Sequence, residues 1–369
     1  MKLALLVPGF SAHEGDWCIP ALLDLVRALA STHQVHVVSL RYPLRRASYR
    51  VGGARVWALA GGETGGWRRL FLFWAALQTV QRAGPFDYYH ALWGDEPGAL
   101  AVLGARLAGA PALVSLMGGE LVALPEIGYG GQVSRWNRLL VRLALRLANG
   151  VTVGSRFMER LVLAHGRVRR VARWPLGVNA ARFTPRGDAL SLAGRPVLLH
   201  VASLVPVKDQ ATLLRAFALA VERLPTAHLH VVGDGPRRGA LERLAARLGV
   251  RERVTFHGAV PHDHLPAFYR AADLLVMSSR FESQGMVVLE AAACGVPAVG
   301  TAVGILPELE EAGVARTVPP GDAKALSGAL VDFLGSGARA LGRQARALVE
   351  EHFTVQAALR RLMDLYAAL

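Results

Sequence analysis

Short apolar runs of strand length alternate with amphipathic stretches of helix length from one end of the chain to the other. The runs lie at residues 3–7, 35–40, 112–116, 151–155, 197–201, 229–232, 273–277 and 297–299, and Gly, Pro, Ser or Asp bounds most of them. Their length and flanks predict buried strands. Between the first two, residues 19–30 place Leu22, Leu25, Val26 and Leu29 on one stripe, which predicts a helix packed on its sheet. The same alternation throughout predicts an α/β chain in which a parallel sheet wrapped by helices is built twice. No internal repeat or low-complexity segment interrupts it.

Two stretches carry an unusual pattern. Residues 66–77, Gly-Trp-Arg-Arg-Leu-Phe-Leu-Phe-Trp-Ala-Ala-Leu, are apolar and aromatic almost all round and too short to cross a membrane; burial in the first domain is the expectation, with an interfacial helix as the alternative. Residues 133–147 form a basic amphipathic helix. In it Arg135, Arg138, Arg142 and Arg146 recur at three and four residues, opposite Trp136, Leu140, Leu143 and Leu147. Packing on its own domain and docking on anionic lipid explain this pattern equally well.

A chain of 369 residues is long enough for two domains with cores of their own. No 18-residue uncharged apolar stretch occurs, so nothing is expected to span a bilayer as a helix. Residues 1–9 read as a first buried strand rather than a secretion signal. Cys18 and Cys294 read as small buried apolar residues, which fits a reducing cytoplasm. The net charge of +14 is carried by Arg, with Lys only at positions 2, 208 and 324. A coding bias toward Arg explains part of such an excess, and an acidic membrane surface or phosphate-bearing substrates are the functional explanations. Nucleic acid is not among them, because no aromatic residues interleave with the basic ones in a binding pattern.

The densest chemistry sits between the runs at 273–277 and 297–299. Gly285 opens a helix there that Gly295 closes, so a helix N-terminus follows a strand. Free N–H groups and the positive dipole end favour a phosphate at such a place. Were Glu282 and Glu290 on one helix, eight positions at about 100° each would set them about 80° apart. The loop must therefore carry Glu282, which overhangs the phosphate site, while Glu290 sits inside the helix and needs a partner in so apolar a segment. Two sugars joined by a diphosphate suit that pair. Upstream, Gly233-Asp234-Gly235-Pro236 follows a strand but lacks the Gly-x-Gly-x-x-Gly spacing of a dinucleotide site. His262-Asp263-His264 reads as a helix cap with two exposed imidazoles rather than a metal set, and no Asp-x-Asp occurs.

Glu282, seven residues, Glu290, then Ala-x-x-x-Gly-x-Pro resembles the donor-site signature of the retaining glycosyltransferases of family 4, the glycosyl transferases group 1. Four further stretches match that family in the same order: Pro175-Leu176-Gly177-Val178-Asn179-x-x-x-Phe183-x-Pro185, Val201-Ala202-Ser203-Leu204-Val205-Pro206-Val207-Lys208-Asp209, Gly233-Asp234-Gly235-Pro236 and Arg253-Val254-Thr255-Phe256-His257-Gly258. The resemblance implies the GT-B fold, two Rossmann-like doubly wound domains facing a central cleft. Residues 1–175 would form the acceptor-side domain, with helix 354–369 packing back on it, and 176–353 the donor-binding domain, its core elements running out near 335–337.

By the same resemblance, Glu282 would hold sugar hydroxyls, Glu290 the ribose, and Lys208 with the N–H groups of Gly285, Met286 and Val287 the leaving diphosphate. Ser203, Gly233, Asp234, Gly235, His257 and Gly258 would line the donor site, and His90 would be a further catalytic candidate. The acceptor side would present Gly15, Asp16, Met117, Gly118 and Glu120. Three positions depart from the family pattern: Asp16 stands for the second Gly of a pair, Met117 for a His, and Ser203 for an Arg that would share the diphosphate with Lys208. The implied activity is metal-independent, retaining transfer of a sugar from a nucleotide-diphosphate sugar to a hydroxyl acceptor (glycan, lipid or small molecule), with no other cofactor. It would take place in the cytoplasm or at the inner face of the membrane. A nucleotide-sugar binder that no longer transfers, and a sugar-nucleotide epimerase of the same fold, are the alternatives.

Overall fold

A computed structural model describes the chain apart from residues 167, 336 and 337 and the side chains of residues 338 and 339. The expected end of the second core near residues 335–337 thus lies partly outside the described residues. The chain divides into two compact units, Met1–Gly177 with Val355–Leu369, and Val178–Thr354.

The first unit follows the alternation: β1 (Lys2–Gly9), α1 (Pro20–Ala30), β2 (Gln34–Tyr42), β3 (Ala47–Val51), β4 (Ala54–Ala58), α2 (Arg68–Ala83), β5 (Tyr88–Leu92), α3 (Glu96–Ala108), β6 (Ala112–Leu116), α4 (Arg135–Leu147), β7 (Gly150–Val153), α5 (Arg156–His165) and β8 (Val171–Arg173). Its strands lie in the order β3-β4-β2-β1-β5-β6-β7-β8, parallel except for β3 against β4. Leu3, Ala4, Leu5, Leu6 and Val7 are fully buried, as an unbroken apolar strand requires when helices cover both faces. The β3–β4 hairpin, which the reading of apolar runs passes over, turns on Gly52 and Gly53, with φ of 60° and 78°. Two consecutive positive φ values are what a two-residue primed turn demands, so this glycine pair is its signal.

Helix α2 corrects an expectation. It buries Ala76 and Val80 but leaves Trp67, Leu70, Phe71 and Trp74 exposed. Helix α4 begins with Ser134 capping the Asn137 N–H, and Arg135, Arg142 and Arg146 are exposed on it. Cys18 is exposed as well, against expectation, whereas Cys294 is buried.

The second unit comprises β9 (Val197–Val201), α6 (Gln210–Ala220), β10 (His228–Val232), α7 (Arg238–Arg247), β11 (Val254–Gly258), α8 (Leu265–Ala271), β12 (Leu274–Met277), α9 (Met286–Ala293), β13 (Ala298–Thr301), α10 (Leu306–Glu311), β14 (Ala315–Val318), α11 (Ala323–Gly335) and α12 (Ala338–His352); the last helix, α13 (Val355–Ala367), belongs to the first unit. All six strands are parallel, in the order β11-β10-β9-β12-β13-β14. Winding runs outward from β9 through β10 to β11, then reverses at β12. The boundary between β9 and β12 is therefore the topological switch point, where the loops after adjacent strands diverge and leave room for a ligand. In α13, the Tyr366 ring stacks on Tyr88 at 4.6 Å within the first unit.

Candidate functional site

The loops that leave β9 and β12 meet at the switch point and are tied to each other. Ser278 Oγ donates to the Lys208 carbonyl (2.8 Å), and the Arg280 N–H to the Val207 carbonyl (2.8 Å). This backbone lacing brings two side chains together. Lys208 Nζ lies 2.6 Å from Glu282 Oε1, which also accepts from Ser279 Oγ at 2.7 Å. Thr301 Oγ1, at the end of β13, holds the Ser279 carbonyl at 2.6 Å, and the Ile305 N–H holds that of Gln284 at 2.8 Å. Three consecutive strand ends thus fix where Glu282 stands. Both donors fall on Oε1, and Lys208 keeps two further N–H bonds for a ligand.

Gly285, with φ of 89°, then starts α9. As the first amides of the helix, those of Gly285, Met286 and Val287 have no carbonyl one turn back, so their N–H groups and the dipole present partial positive charge beside Lys208 and Glu282. A cation, a carboxylate and a helix N-terminus at one strand edge can hold a diphosphate and the hydroxyls of an attached sugar. Ser203 is exposed in the β9 loop, and its carbonyl accepts from Gln210 Nε2 at 3.0 Å.

Glu290 is placed differently from expectation. It is buried, its Oε1 lies 2.9 Å from His262 Nε2, and its Oε2 accepts from the Tyr269 hydroxyl at 2.9 Å. Phe183 packs edge-on against both rings. The partner that an acid in an apolar helix needs is supplied from within the unit, so Glu290 anchors α9 to the segment between β11 and β12. His262 accordingly turns inward, which corrects the expected pair of exposed imidazoles; His264 is exposed. Neither His262 nor Tyr269 was legible as a partner, because they precede Glu290 by 28 and 21 residues.

Gly233, Asp234 and Gly235 stand at the end of β10, and the structure assigns the glycines another reason. A Cβ on Gly233 would lie 2.0 Å from the Ala202 carbonyl oxygen, and one on Gly235 2.7 Å from that of Leu204. The close approach is between two loops of the protein. Asp234 Oδ1 accepts from the N–H of its neighbour Gly235 (2.7 Å), Oδ2 makes an ion pair with Arg238 (3.3 Å), and the same guanidinium lies under Gly258. His257 stacks on His230 at 5.2 Å, shares a 3.0 Å hydrogen bond with it, and meets the edge of Phe268. It packs under α8 on the sheet face rather than at the loop edge, and burial with the neighbouring His230 lowers its pKa.

In the first unit, His90 is a correction. It is fully buried, with Nδ1 2.7 Å from the Tyr366 hydroxyl and Nε2 2.7 Å from Ser115 Oγ. Burial holds its pKa down at about 3. A neutral core imidazole with both nitrogens engaged has no proton to exchange with a ligand.

Glu120 also turns inward. It is buried and accepts from the N–H groups of Gly94 (3.1 Å), Met117 (3.1 Å) and Gly118 (2.7 Å), bracing the turn after β6 against the end of β5. Burial and the nearby Asp95 push its carboxyl up to about 7 against those bonds. Asp16 braces in the same way, its Oδ2 accepting from the Ala12 N–H (2.7 Å) and the Tyr42 hydroxyl (2.9 Å). Gly15 meets nothing closer than the His13 ring at 3.6 Å, so no close approach demands glycine there.

Among the described residues no group of three or more His, Cys, Asp or Glu is arranged to hold a metal ion, and no helix is long and apolar enough to cross a membrane.

Comparison with known proteins agrees with this architecture. The family described as Glycosyl transferases group 1 matches residues 186–348, and the Glycosyl transferase 4-like domain matches residues 19–177. The GDP-mannose-dependent alpha-(1-6)-phosphatidylinositol monomannoside mannosyltransferase of Mycolicibacterium smegmatis is 36% identical over 272 residues, covering 68% of each chain. Among solved structures, sucrose-phosphate synthase from Thermosynechococcus elongatus superposes with a TM-score of 0.80 at 23% identity over 100% of this chain and 99% of the other. Anabaena Alr3699/HepE in complex with UDP-glucose does so with a TM-score of 0.75 at 20% identity over 100% of both. The fold is GT-B, and the chain belongs to the group 1, family-4-like glycosyltransferases.

Proposed function

We propose that the chain transfers a hexosyl group, with retention and without a metal, from a nucleoside diphosphate sugar to a hydroxyl of a lipid-borne acceptor. The contact of Lys208 with Glu282 beside the α9 N-terminus is the observation that carries this reading. When the anomeric C–O bond breaks, the electron pair goes to the terminal phosphate oxygen, and the Lys208 ammonium and the first α9 amides stabilise the charge that collects there. The sugar carbon becomes oxocarbenium-like, and the acceptor oxygen bonds to it on the face the phosphate leaves. On that face the departing phosphate oxygen is the base within reach of the acceptor proton. Glu282 holds sugar hydroxyls through this change, its position set by Ser279 and Lys208.

Named relatives support the substrate classes. The mannosyltransferase relative is GDP-mannose-dependent and acts on a phosphatidylinositol monomannoside, and the HepE structure holds UDP-glucose. A GDP- or UDP-hexose donor and a phosphoinositide-type acceptor are accordingly the first to test. The experiment is a thermal-shift panel of nucleotide sugars, followed by NMR of the product formed on phosphatidylinositol and its monomannoside in the presence of EDTA. An α-linked product from an α-linked donor is expected. Inversion at the anomeric carbon, or turnover that EDTA abolishes and magnesium restores, overturns the retaining or the metal-free part, and no nucleoside diphosphate release with any donor overturns the whole.

A further inference from the structure

Helix α2 presents a second apolar stripe to solvent. At about 100° per residue, Trp67, Leu70, Phe71 and Trp74 fall within an arc of about 100°. That stripe is the exposed one, at 66%, 55%, 65% and 58% respectively. The opposite side, which packs on the unit, carries Arg69, Ala76 and Val80, with Leu72 over Gly61. Leu44, 73% exposed, sits against Gly62 beside this helix and extends the patch. The stripe is held on a fixed base: Arg69 Nε donates to Glu96 Oε1 at 2.8 Å, and Arg41 makes a forked pair with the same carboxylate at 2.7 and 2.9 Å. The Trp67 and Phe71 rings meet edge to face at 5.3 Å.

The charged residues of α2 itself, Arg68, Arg69 and Arg82, have one sign, although Glu63 is exposed in the loop before it. No Asp or Glu occurs between Glu63 and Asp87, or between Glu126 and Glu159. The first turns of α2 and α4 are joined, on the sides turned from their exposed stripes, by the hydrogen bond from Arg69 Nη2 to Asn137 Oδ1 (3.3 Å). On α4, Arg135, Arg142 and Arg146 are exposed, together with Leu139 at 58%. Two Trp, a Phe and a Leu turned outward on a helix whose own charges are all Arg match an interface that is apolar below and anionic above. A protein partner would need an acidic rim around an apolar socket. A bilayer with anionic headgroups offers both everywhere on its surface.

We propose that the Trp67, Leu70, Phe71 and Trp74 stripe docks the first unit on an anionic phospholipid bilayer, its aromatic rings at the boundary of headgroups and acyl chains and the α4 arginines on the headgroups. The proposal names the surface on which the acceptor is met, and in that purpose it rests on the reading of a lipid-borne acceptor.

The test is flotation of the full chain with vesicles of phosphatidylcholine, with and without phosphatidylglycerol, while tryptophan emission is recorded. Wild type is expected to float with the phosphatidylglycerol vesicles and to shift its emission to the blue. The triple variant Trp67→Ser, Phe71→Ser, Trp74→Ser should lose affinity by more than about tenfold, since buried apolar area sets interfacial binding. Its melting temperature should not fall, because the replaced side chains are exposed. Replacing Arg135, Arg138, Arg142 and Arg146 by Gln should weaken binding and flatten its salt dependence. Donor binding and donor hydrolysis, measured without vesicles, should be unchanged in the triple variant, so failure of the transfer reading and failure of docking are separate results. Flotation of the triple variant equal to wild type overturns the proposal. So does absence of flotation from wild type together with a dimer that the triple variant abolishes, which would make the stripe a protein interface.

Discussion

Lys208 Nζ and Glu282 Oε1 lie 2.6 Å apart across the switch point, joining the loops after β9 and β12. The cation assigned to the leaving group and the carboxylate assigned to the sugar are thus one unit before any ligand arrives. Glu282 sits where charge and hydroxyls of the donor would meet, and its orientation depends on Lys208. Replacing either residue by Ala is expected to lower kcat/KM by about a hundredfold to a thousandfold, as for loss of one donor to a developing anion. The double variant should cost far less than the product of the two, because residues acting as one unit are non-additive. Steady-state kinetics on the four-member cycle checks this; additive losses would mean the two side chains work separately. Lys208→Arg should recover little, since a planar fork does not reproduce a compact ammonium against Glu282.

Glu290 makes a different prediction from the one its motif implies. With both oxygens on protein donors, Tyr269→Phe should destabilise the second unit by about 1–3 kcal/mol by leaving a buried carboxylate oxygen short of a donor. Nucleoside diphosphate affinity should change little. Denaturant unfolding and calorimetric titration separate the two effects: a fall in affinity far beyond the fall in stability would return Glu290 to the ribose.

The α/β class and most strands were legible because buried parallel strands read as unbroken apolar runs, and the helix that Gly285 opens and Gly295 closes is where its flanking glycines set it. Faces were harder. The all-round apolar stretch at 66–77 offers no period from which to choose its buried side, and what decides is tertiary: Glu96 claims Arg69, and that turns Trp67, Phe71 and Trp74 outward. The motif placed Glu282 and Lys208 in loops and left open that they touch. Motif spacing says which strand or loop a residue occupies but nothing of which way its side chain turns, so His90 in β5, His257 in β11 and Glu120 in the turn after β6 turn out to face inward.

The two glycine-rich loops should respond in opposite ways. Gly233 has φ of 124° and no space for a Cβ, which would lie 2.0 Å from the Ala202 carbonyl oxygen. Gly233→Ala is expected to destabilise by more than about 3 kcal/mol, because strain and collision with backbone combine. Gly15→Ala, in open surroundings, should stay within about 0.5 kcal/mol of wild type. Chemical denaturation of both variants is the measurement, and equal effects would contradict the view that the Gly233-Asp234-Gly235 turn is glycine-rich for packing.

The Glu120 carboxyl has its folded pKa raised to about 7 from 4.5, first by burial and then by Asp95. A carboxyl with a raised folded pKa is favourable to folding while it is protonated in both states, below about 4.5. As pH rises from there the unfolded chain ionises first, so this group withdraws stability until the folded carboxyl ionises near 7, and above that the penalty is constant. Its full size is on the order of a few kcal/mol. His90 and His200 act in the opposite direction, since burial lowers their folded pKa values to about 3 and about 4, and their contribution is lost as pH falls below the unfolded histidine value. Asp95, raised by its own burial, adds to the slope of Glu120. The stability difference between wild type and Glu120→Gln cancels the histidine terms. That variant should be less stable overall, because its amide N–H groups face backbone donors such as the Gly118 N–H, which Glu120 Oε2 accepts at 2.7 Å. The gap to wild type should nevertheless narrow steadily between pH 4.5 and about 7. Denaturant midpoints at half-unit steps of pH give the curve directly, and a gap that stays constant across this window would show that Glu120 ionises normally in the folded chain.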